Sequence, residues 1–173
     1  MEVVLVATNA RDMTLILKKT MEMDYKPIYL GVTPSTNQSI FKALPPGNID
    51  FYAAAATAPL SKEISGIKRL NELGKKYYSN FKLASYHVPG YVPTRVFINA
   101  LKMAGRNLTR ENFVQALEKT KNLDLEGLAS PVTFGPSRRY SASSVMIVKM
   151  DTAGKVFKIV RGHEEVQCNP FKK

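Results

Sequence analysis

The sequence of 173 residues has few of the side chains that bind metal ions or cross-link a fold. It contains one cysteine, Cys168, and two histidines, His87 and His163, which lie far apart along the chain. A single cysteine excludes an internal disulfide and leaves the redox compartment open. Protein zinc sites need three or four His, Cys or carboxylate ligands, and no such spacing occurs here. We therefore expect no metal and no other cofactor.

Long hydrophobic runs and export signals are also missing. No stretch approaches the roughly 20 apolar residues that span a bilayer. The opening "MEVVLVATNARD" carries Glu2 where a signal peptide has basic residues, and its apolar run is short. We expect no transmembrane helix, and no export signal within this chain itself.

Motifs for catalysis are absent as well. There is no GxSxG elbow and no glycine-rich phosphate loop. Neither His87 nor His163 has a neighbouring pattern that would orient it as a base, and nothing beside Cys168 lowers a thiol pKa. The sequence therefore predicts a protein that is not an enzyme.

Positive charge is abundant, and it is unevenly placed. The net charge is +11, and the excess lies in residues 58–173. The segment "KRLNELGKKYYSNFK" mixes lysines with tyrosines, which suggests a nucleic-acid surface as one interpretation. However, Ile64, Ile67, Leu70 and Leu73 recur at helical spacing, so the lysines fit the solvated face of an amphipathic helix. We favour the helix and expect no nucleic-acid partner.

Strands and helices alternate in the first third of the chain. "VVLVA" (3–7), "KPIYLGV" (26–32) and "DFYAAAA" (50–56) are β-rich runs typical of buried strands. A helix with an apolar stripe lies between the first two strands, and this order predicts a right-handed βαβ unit. The stripe is Met13, Ile16, Leu17, Thr20 and Met21.

The remainder predicts helices followed by strands. We expect helices over 60–79 and 93–104, the second with Pro93 in its first turn and Gly105 at its C-cap. A third helix follows Thr109 as N-cap. Strands are then expected at "PVTF" (131–134), "SVMIVKM" (144–150) and "VFKIV" (156–160), the last two forming a hairpin. The fold class is therefore α/β.

Four segments carry a resemblance to a known family. The helix ending in "ALKMAG", the helix start "LTRENFVQALE", the turn "PVTFGPSRR" and the hairpin turn "AGK" follow one another in order. With the opening strand–helix–strand, they resemble the C-terminal portion of branched-chain amino-acid-binding proteins, the type I periplasmic substrate-binding proteins of ABC transporters. The likeness covers Val3 to about Val160, whereas family members are about twice as long.

The resemblance implies a partial type I periplasmic-binding-protein fold with two lobes. Residues 1–56 and 144–165 would form a portion of the second α/β lobe, and residues 57–143 a helix-rich portion of the first. Extended hinge segments would cross between the lobes near 54–59 and 136–143, and 166–173 would be a tail. The Arg- and Ser-containing turn is then a hinge, with a plain surface turn as the alternative.

The resemblance also implies where a ligand would bind. In open α/β sheets, ligands bind at the carboxyl ends of the strands. By register, Asn9 and Thr33 fall on ligand-contacting positions of the family, with Thr8 and Ala10 beside them. Asn9 stands where family members carry an aromatic side chain, and Thr33 where they carry an acidic one. The resemblance therefore leaves amides and carboxylates open as ligands, beside amino acids. A helix cap at Asn9 and a turn at Thr33 are equally good interpretations.

The function implied is solute binding for an ABC importer. The expected partners are a small polar solute (amino acid, amide or carboxylate) and, for the full-length form, a membrane permease. That form would be periplasmic or extracellular. The alternative is a structural or interaction fragment that binds no solute. Apolar helix stripes over residues 60–120 further predict a homodimer through that region.

Overall fold

The computed structural model describes residues 2–45, 47–60, 63–140 and 144–165. Within these ranges, five strands and five α-helices follow one another, with a short 3-10 helix after the second strand. In chain order they are β1 (Val3–Leu5), α1 (Ala10–Glu22), β2 (Ile28–Val32), the 3-10 helix (Thr33–Thr36), α2 (Ile40–Ala43), β3 (Phe51–Ala55), α3 (Ser65–Tyr77), α4 (His87–Ala104), α5 (Arg110–Lys119), β4 (Ser144–Asp151) and β5 (Val156–Glu165).

The strands form one mixed sheet in the order β1-β2-β3-β4-β5. β1, β2 and β3 are parallel, which confirms the βαβ start. β4 runs antiparallel to β3, and β5 antiparallel to β4. The chain leaves the sheet at Ala55 and returns with Met146 directly opposite that residue. The helical middle is therefore inserted between two neighbouring strands.

One face of the sheet carries the main hydrophobic core. Met13 and Leu17 of α1 are fully buried there, as the apolar stripe predicted. They belong to one cluster with alternate residues of the strands, because successive side chains of a strand point to opposite faces. The aromatic part of this cluster includes Phe51 and Phe157, whose ring centroids are 6.0 Å apart.

The opposite face of the sheet is apolar and exposed to solvent. The register places two rows of side chains on it. We call this surface the open face; its apolar members are Leu5, Leu30, Val32, Tyr52, Ala54 and Ile147. The same two rows continue to Lys149, opposite Tyr52, and to Arg161, opposite Ile147. Leu5 is 81% exposed, and the cavity found on this face is lined by strand and strand-end residues alone.

The inserted helices pack around two smaller cores. One cluster is built on Ile67, Leu70, Val88 and Leu128, and the other on Val96, Leu125, Ala129 and Val132. α5 packs on α4 through the rings of Phe97 and Phe113, 5.2 Å apart. The backbone N–H of Ala58 donates to the carbonyl of Leu128. This hydrogen bond connects the segment after β3 to the inserted helical region.

Two predicted helices have different boundaries in the structure. α3 begins at Ser65 and ends at Tyr77, shorter than the predicted 60–79, because Tyr78 turns to extended backbone. α4 begins at His87, which leaves Pro93 inside the helix. Val88 is fully buried in the first turn of α4, and its packing outweighs the hydrogen bond that a proline removes.

The segment "PVTF" is not a strand. Val132 pairs only with Leu123, in an isolated bridge of two backbone hydrogen bonds. Gly135 and Arg138 then close a tight turn, so Pro136 and Ser137 lie at its tip and are not part of an extended crossing. Residues 141–143 of the predicted second hinge and the predicted tail at 166–173 lie outside the described residues. The division into two lobes stays a prediction.

Candidate functional site

The candidate residues lie at one edge of the sheet. Thr8, Asn9 and Ala10 follow β1, and Thr33 follows β2 directly. Because β1 and β2 are parallel neighbours, both loops emerge at the carboxyl ends of the strands. The two loops that contain the candidate residues therefore lie on the same side of the sheet.

Asn9 is the N-cap of α1. Its side-chain Oδ1 accepts from the backbone N–H of Arg11 at 2.9 Å and from that of Asp12 at 3.1 Å. These N–H groups have no partner within the helix, so the amide oxygen satisfies them. These contacts show that Asn9 caps the helix. Its side chain is also exposed to solvent.

Asp12 joins the residues of this loop. Its Oδ2 accepts from Thr8 Oγ1 at 3.2 Å and from Asn9 Nδ2 at 3.0 Å. The carboxylate also lies in the first turn of α1, where the helix dipole stabilises negative charge. Ala10 begins the helix and contributes no polar side-chain atom.

Thr33 connects β2 to the end of β3. Its hydroxyl donates to the carbonyl of Ala54 at 3.3 Å and accepts from the N–H of Ala56 at 3.0 Å. A hydroxyl has a single hydrogen, so this one is already engaged within the protein. Thr33 therefore fixes the point at which the chain leaves the sheet, and it can still accept a hydrogen bond from a ligand.

An apolar cavity of about 380 Å³ lies beside these loops, on the open face. Leu5, Leu30, Tyr52, Ala54 and Ile147 are among its lining residues. None of the four candidate residues lines it. The polar loop groups and the apolar surface are thus adjacent but separate.

Sequence reasoning missed Asp12. The available signal was an acidic residue three positions after a capping residue, a common pattern at helix starts. That pattern predicts a helix boundary. It does not show that Thr8 and Asn9 would both donate to the same carboxylate oxygen.

The described residues contain neither a metal-binding cluster nor a membrane-spanning helix. In the described ranges, no three His, Cys, Asp or Glu residues lie close enough together to hold a metal ion. No helix in the same ranges has both the length and the hydropathy needed to cross a membrane.

Comparison with known families decides the relationship. The periplasmic binding protein family matches residues 1–155. The chain belongs to this family. Its members are non-catalytic solute-binding proteins of the periplasm. No curated protein matches the chain at a significant level.

Solved structures show the same fold. A fatty acid ABC transporter substrate-binding protein from Thermomonospora curvata is 26% identical, with a TM-score of 0.78 over 95% of this chain and 43% of its own. A branched-chain amino acid ABC transporter protein from Thermus thermophilus, with bound valine, is 17% identical with a TM-score of 0.79. It covers 96% of this chain and 47% of its own. A substrate-binding protein from Aeropyrum pernix reaches a TM-score of 0.80 at 14% identity, covering 96% of this chain and 45% of its own.

These likenesses confirm the type I periplasmic-binding-protein fold. They also confirm the expectation of a partial match, because this chain spans less than half the length of each of these three periplasmic binding proteins.

Proposed function

We propose that this chain is a portion of the solute-binding component of an ABC importer and that it performs no chemistry. The observation that carries the proposal is the joint placement of two loops at the carboxyl ends of β1 and β2, in a chain of the periplasmic binding protein family. The full-length form would act outside the cytoplasm and deliver its solute to a membrane permease.

The proposed solute is a small polar molecule: an amino acid, an amide or a carboxylate. Thr8, Asn9, Ala10 and Thr33 are the proposed contacts. Asn9 offers an amide N–H beyond the one donated to Asp12, and Thr33 offers a hydroxyl lone pair. These groups suit a ligand that carries both donors and acceptors.

The first experiment is a thermal-shift and calorimetric screen of the chain. The panel contains amino acids, amides and small carboxylates, with a fatty acid added because one structural relative binds that class. A saturable rise in melting temperature with a polar member supports the proposal. No shift with any member contradicts it.

The site is then tested by substitution. We expect Asn9→Ala and Thr33→Ala each to weaken binding by about 1 kcal/mol or more, because each removes a buried hydrogen bond to the ligand. Asn9→Ala also removes a helix cap, so Asn9→Ser, which keeps a capping oxygen, separates the two effects. Thr109→Ala removes the cap of α5, whose Oγ1 accepts from Asn112 N at 3.1 Å, and serves as the matched control. If Asn9→Ala and Thr33→Ala bind as tightly as the Thr109→Ala control, these loops are not the site.

A second candidate is an interaction fragment that binds no solute. It is favoured by the hydroxyl of Thr33, whose hydrogen is donated to Ala54. A negative solute screen together with a well-folded chain supports this alternative.

A further inference from the structure

A polar cavity of about 490 Å³ lies where the helical insertion meets the end of β4 and β5. Three parts of the chain line it: the bridged loop around residues 122–133, the turn that ends at Arg138, and the last two strands. Its polar lining residues are Asn122, Ser130, Thr133, Arg138, Ser144 and His163. None of the four proposed solute contacts is among them. The cavity is therefore a feature that solute binding does not explain.

The cavity lining favours negative charge in a ligand. Arg138 is cationic, and none of the described residues that line the cavity is acidic. The guanidinium of Arg138 lies over the ring of Tyr140, with Cζ 5.0 Å from the ring centroid, and this contact restricts its position. A guanidinium has five N–H donors, so Arg138 can contact a ligand in addition to its partners within the protein.

His163 adds a buried nitrogen to the same lining. Its Nδ1 lies 3.4 Å from Ser144 Oγ. When Nδ1 accepts the hydroxyl hydrogen of Ser144, the ring hydrogen lies on Nε2, which is then a donor. Nε2 is shielded from solvent and has no hydrogen-bond partner among the described residues. Since buried polar atoms in native proteins are almost always hydrogen-bonded, this nitrogen points to an acceptor supplied by a ligand.

Two neutral side chains add further donors. The hydroxyl of Thr133 donates to Asn122 Oδ1 at 3.1 Å and accepts from the backbone N–H of Asn122 at 2.9 Å. This reciprocal pair orients the Asn122 side chain and engages its amide oxygen, so the amide nitrogen is the part that can donate to a ligand. Ser130 contributes a hydroxyl to the same lining. An amide N–H and a hydroxyl both suit an oxygen acceptor.

We propose that this cavity binds a small oxyanion, either a carboxylate or a phosphate group, through Arg138, His163, Ser130 and Asn122. Both groups present several acceptor oxygens and match the planar fork of a guanidinium. The cavity volume lies within the range of roughly 300–1,000 Å³ that is typical of small-molecule sites. Asn122, Ser130 and Arg138 belong to the helical insertion, whereas His163 belongs to β5. A bound oxyanion would therefore connect the insertion to the sheet.

The test is an NMR titration of the full chain with inorganic phosphate and, separately, with succinate. The pH is fixed at 7.5 and the ionic strength is held constant with chloride, because a net charge of +11 attracts any anion. We expect saturable shifts of the His163 imidazole and the Asn122 side-chain amide. The His87 imidazole and the Asn9 side-chain amide lie outside the cavity lining and should not shift. Saturation by phosphate alone identifies a phosphate site, and saturation by succinate alone a carboxylate site.

Substitutions then test the individual contacts. Arg138→Gln should weaken oxyanion binding about tenfold or more, because it removes a charge-assisted pair of hydrogen bonds. Arg139→Gln is the matched control, since it makes the same change of charge at the next residue. Arg139 pairs with Glu118 at 2.6 Å and does not line the cavity, so its loss should leave the affinity nearly unchanged. Ser130→Ala removes one neutral donor and should weaken binding severalfold.

Absence of a saturable His163 shift with both probes would overturn the proposal. Equal weakening by Arg138→Gln and Arg139→Gln would overturn it too, because binding would then reflect general attraction to positive charge. A shift of the Asn9 amide without one of His163 would place the anion at the solute loops, which contradicts this site and supports the proposed function. Should Arg138→Gln fail to fold, the shifts in the unmodified chain and the affinity of Ser130→Ala decide.

Discussion

Two glycines in the inserted helices differ in how closely other side chains approach them. A Cβ added at Gly74 of α3 would lie 2.2 Å from Cε1 of Phe81, whereas a Cβ at Gly90 of α4 would meet nothing within 4 Å. The ring of Phe81 also contacts that of His87, at 4.9 Å between centroids. The ring therefore cannot shift away from α3 without losing contacts.

We expect Gly74→Ala to lower the free energy of unfolding by about 1–3 kcal/mol, because the methyl group displaces the Phe81 ring. Gly90→Ala is the control and should raise the free energy of unfolding by up to ~1 kcal/mol, since alanine favours a helix over glycine. Urea denaturation measures both. Similar effects of the two changes would show that Phe81 does not pack on α3 as described.

His163 gives the protein a pH-dependent contribution to stability. Burial lowers the pKa of His163 below its usual value of 6.5. Its Nδ1 lies 3.4 Å from Ser144 Oγ, and Arg138 and His163 line the same cavity. Since the pKa is lower in the folded state, the unfolded chain binds more protons as the pH falls through about 6.5, and stability is lost there.

Replacing this side chain should remove that loss. We expect the free energy of unfolding to fall between pH 7.5 and 5.5 in the unmodified chain and to fall less steeply in His163→Gln. A steep decline that persists in His163→Gln would place the titrating group elsewhere.

Single residues were predicted best where the contacts are local. The cap at Thr109 is confirmed, because a hydroxyl three residues before a free N–H depends on nearby sequence alone. Thr33 was harder, since its partners Ala54 and Ala56 are distant in sequence. Its two interpretations, ligand contact and turn residue, could not be separated without knowing where β3 ends.

At the scale of elements, one carboxylate holds three segments together. Glu126 Oε1 accepts from Arg69 of α3 at 2.9 Å and from Arg95 of α4 at 2.8 Å. Its backbone carbonyl accepts from Gly66 N at 3.0 Å and from Ser65 Oγ at 3.2 Å. The loop around Glu126 thus fixes the start of α3 beside the middle of α4.

The two arginines should differ in importance. The side chain of Arg95 is 25% exposed and that of Arg69 is 56% exposed. Bonding to Glu126 raises the pKa of Arg95, so this guanidinium stays charged. We expect Arg95→Gln to lower the free energy of unfolding by about 1–2 kcal/mol, and Arg69→Gln by less than about 1 kcal/mol because solvent screens that pair. Urea denaturation decides, and an equal or reversed order would contradict this role of Arg95.

Elements with strong periodicity were predicted well from the sequence. β1, β2, β3, α1 and the final hairpin lie close to their expected positions because alternation and helical stripes are local signals. The start of α4 was missed, since Pro93 favours a helix beginning and the burial of Val88 cannot be read from spacing. The short α2 was missed because four residues carry too little periodicity.

For the whole molecule, the separate cores predict separable stability. Leu17 belongs to the sheet core and Leu128 to a helical core, and each is almost fully buried. Ile64 contacts both clusters. If the helical insertion and the sheet are distinct cooperative units, a substitution that destabilises one core will increase local unfolding mainly within its own unit.

This is tested with two matched truncations. Leu17→Ala and Leu128→Ala should each destabilise their own unit by about 2–5 kcal/mol. Native-state hydrogen exchange should speed up in β2 and β3 for the first variant and in α4 for the second. Equal acceleration of both regions in either variant would show a single cooperative unit and contradict the predicted division into lobes.

The return of the chain beside its own point of departure also affects how fast the protein can fold. Pairing β3 with β4 brings Ala55 opposite Met146. Closing a flexible loop of about 90 residues costs roughly 4 kcal/mol of chain entropy plus a constant. That cost falls sharply once α3, α4 and α5 have collapsed into a compact body. β4 and β5 should therefore join the sheet late in folding. The rate of that step should rise with the stability of α3, α4 and α5, although these helices are not part of the sheet.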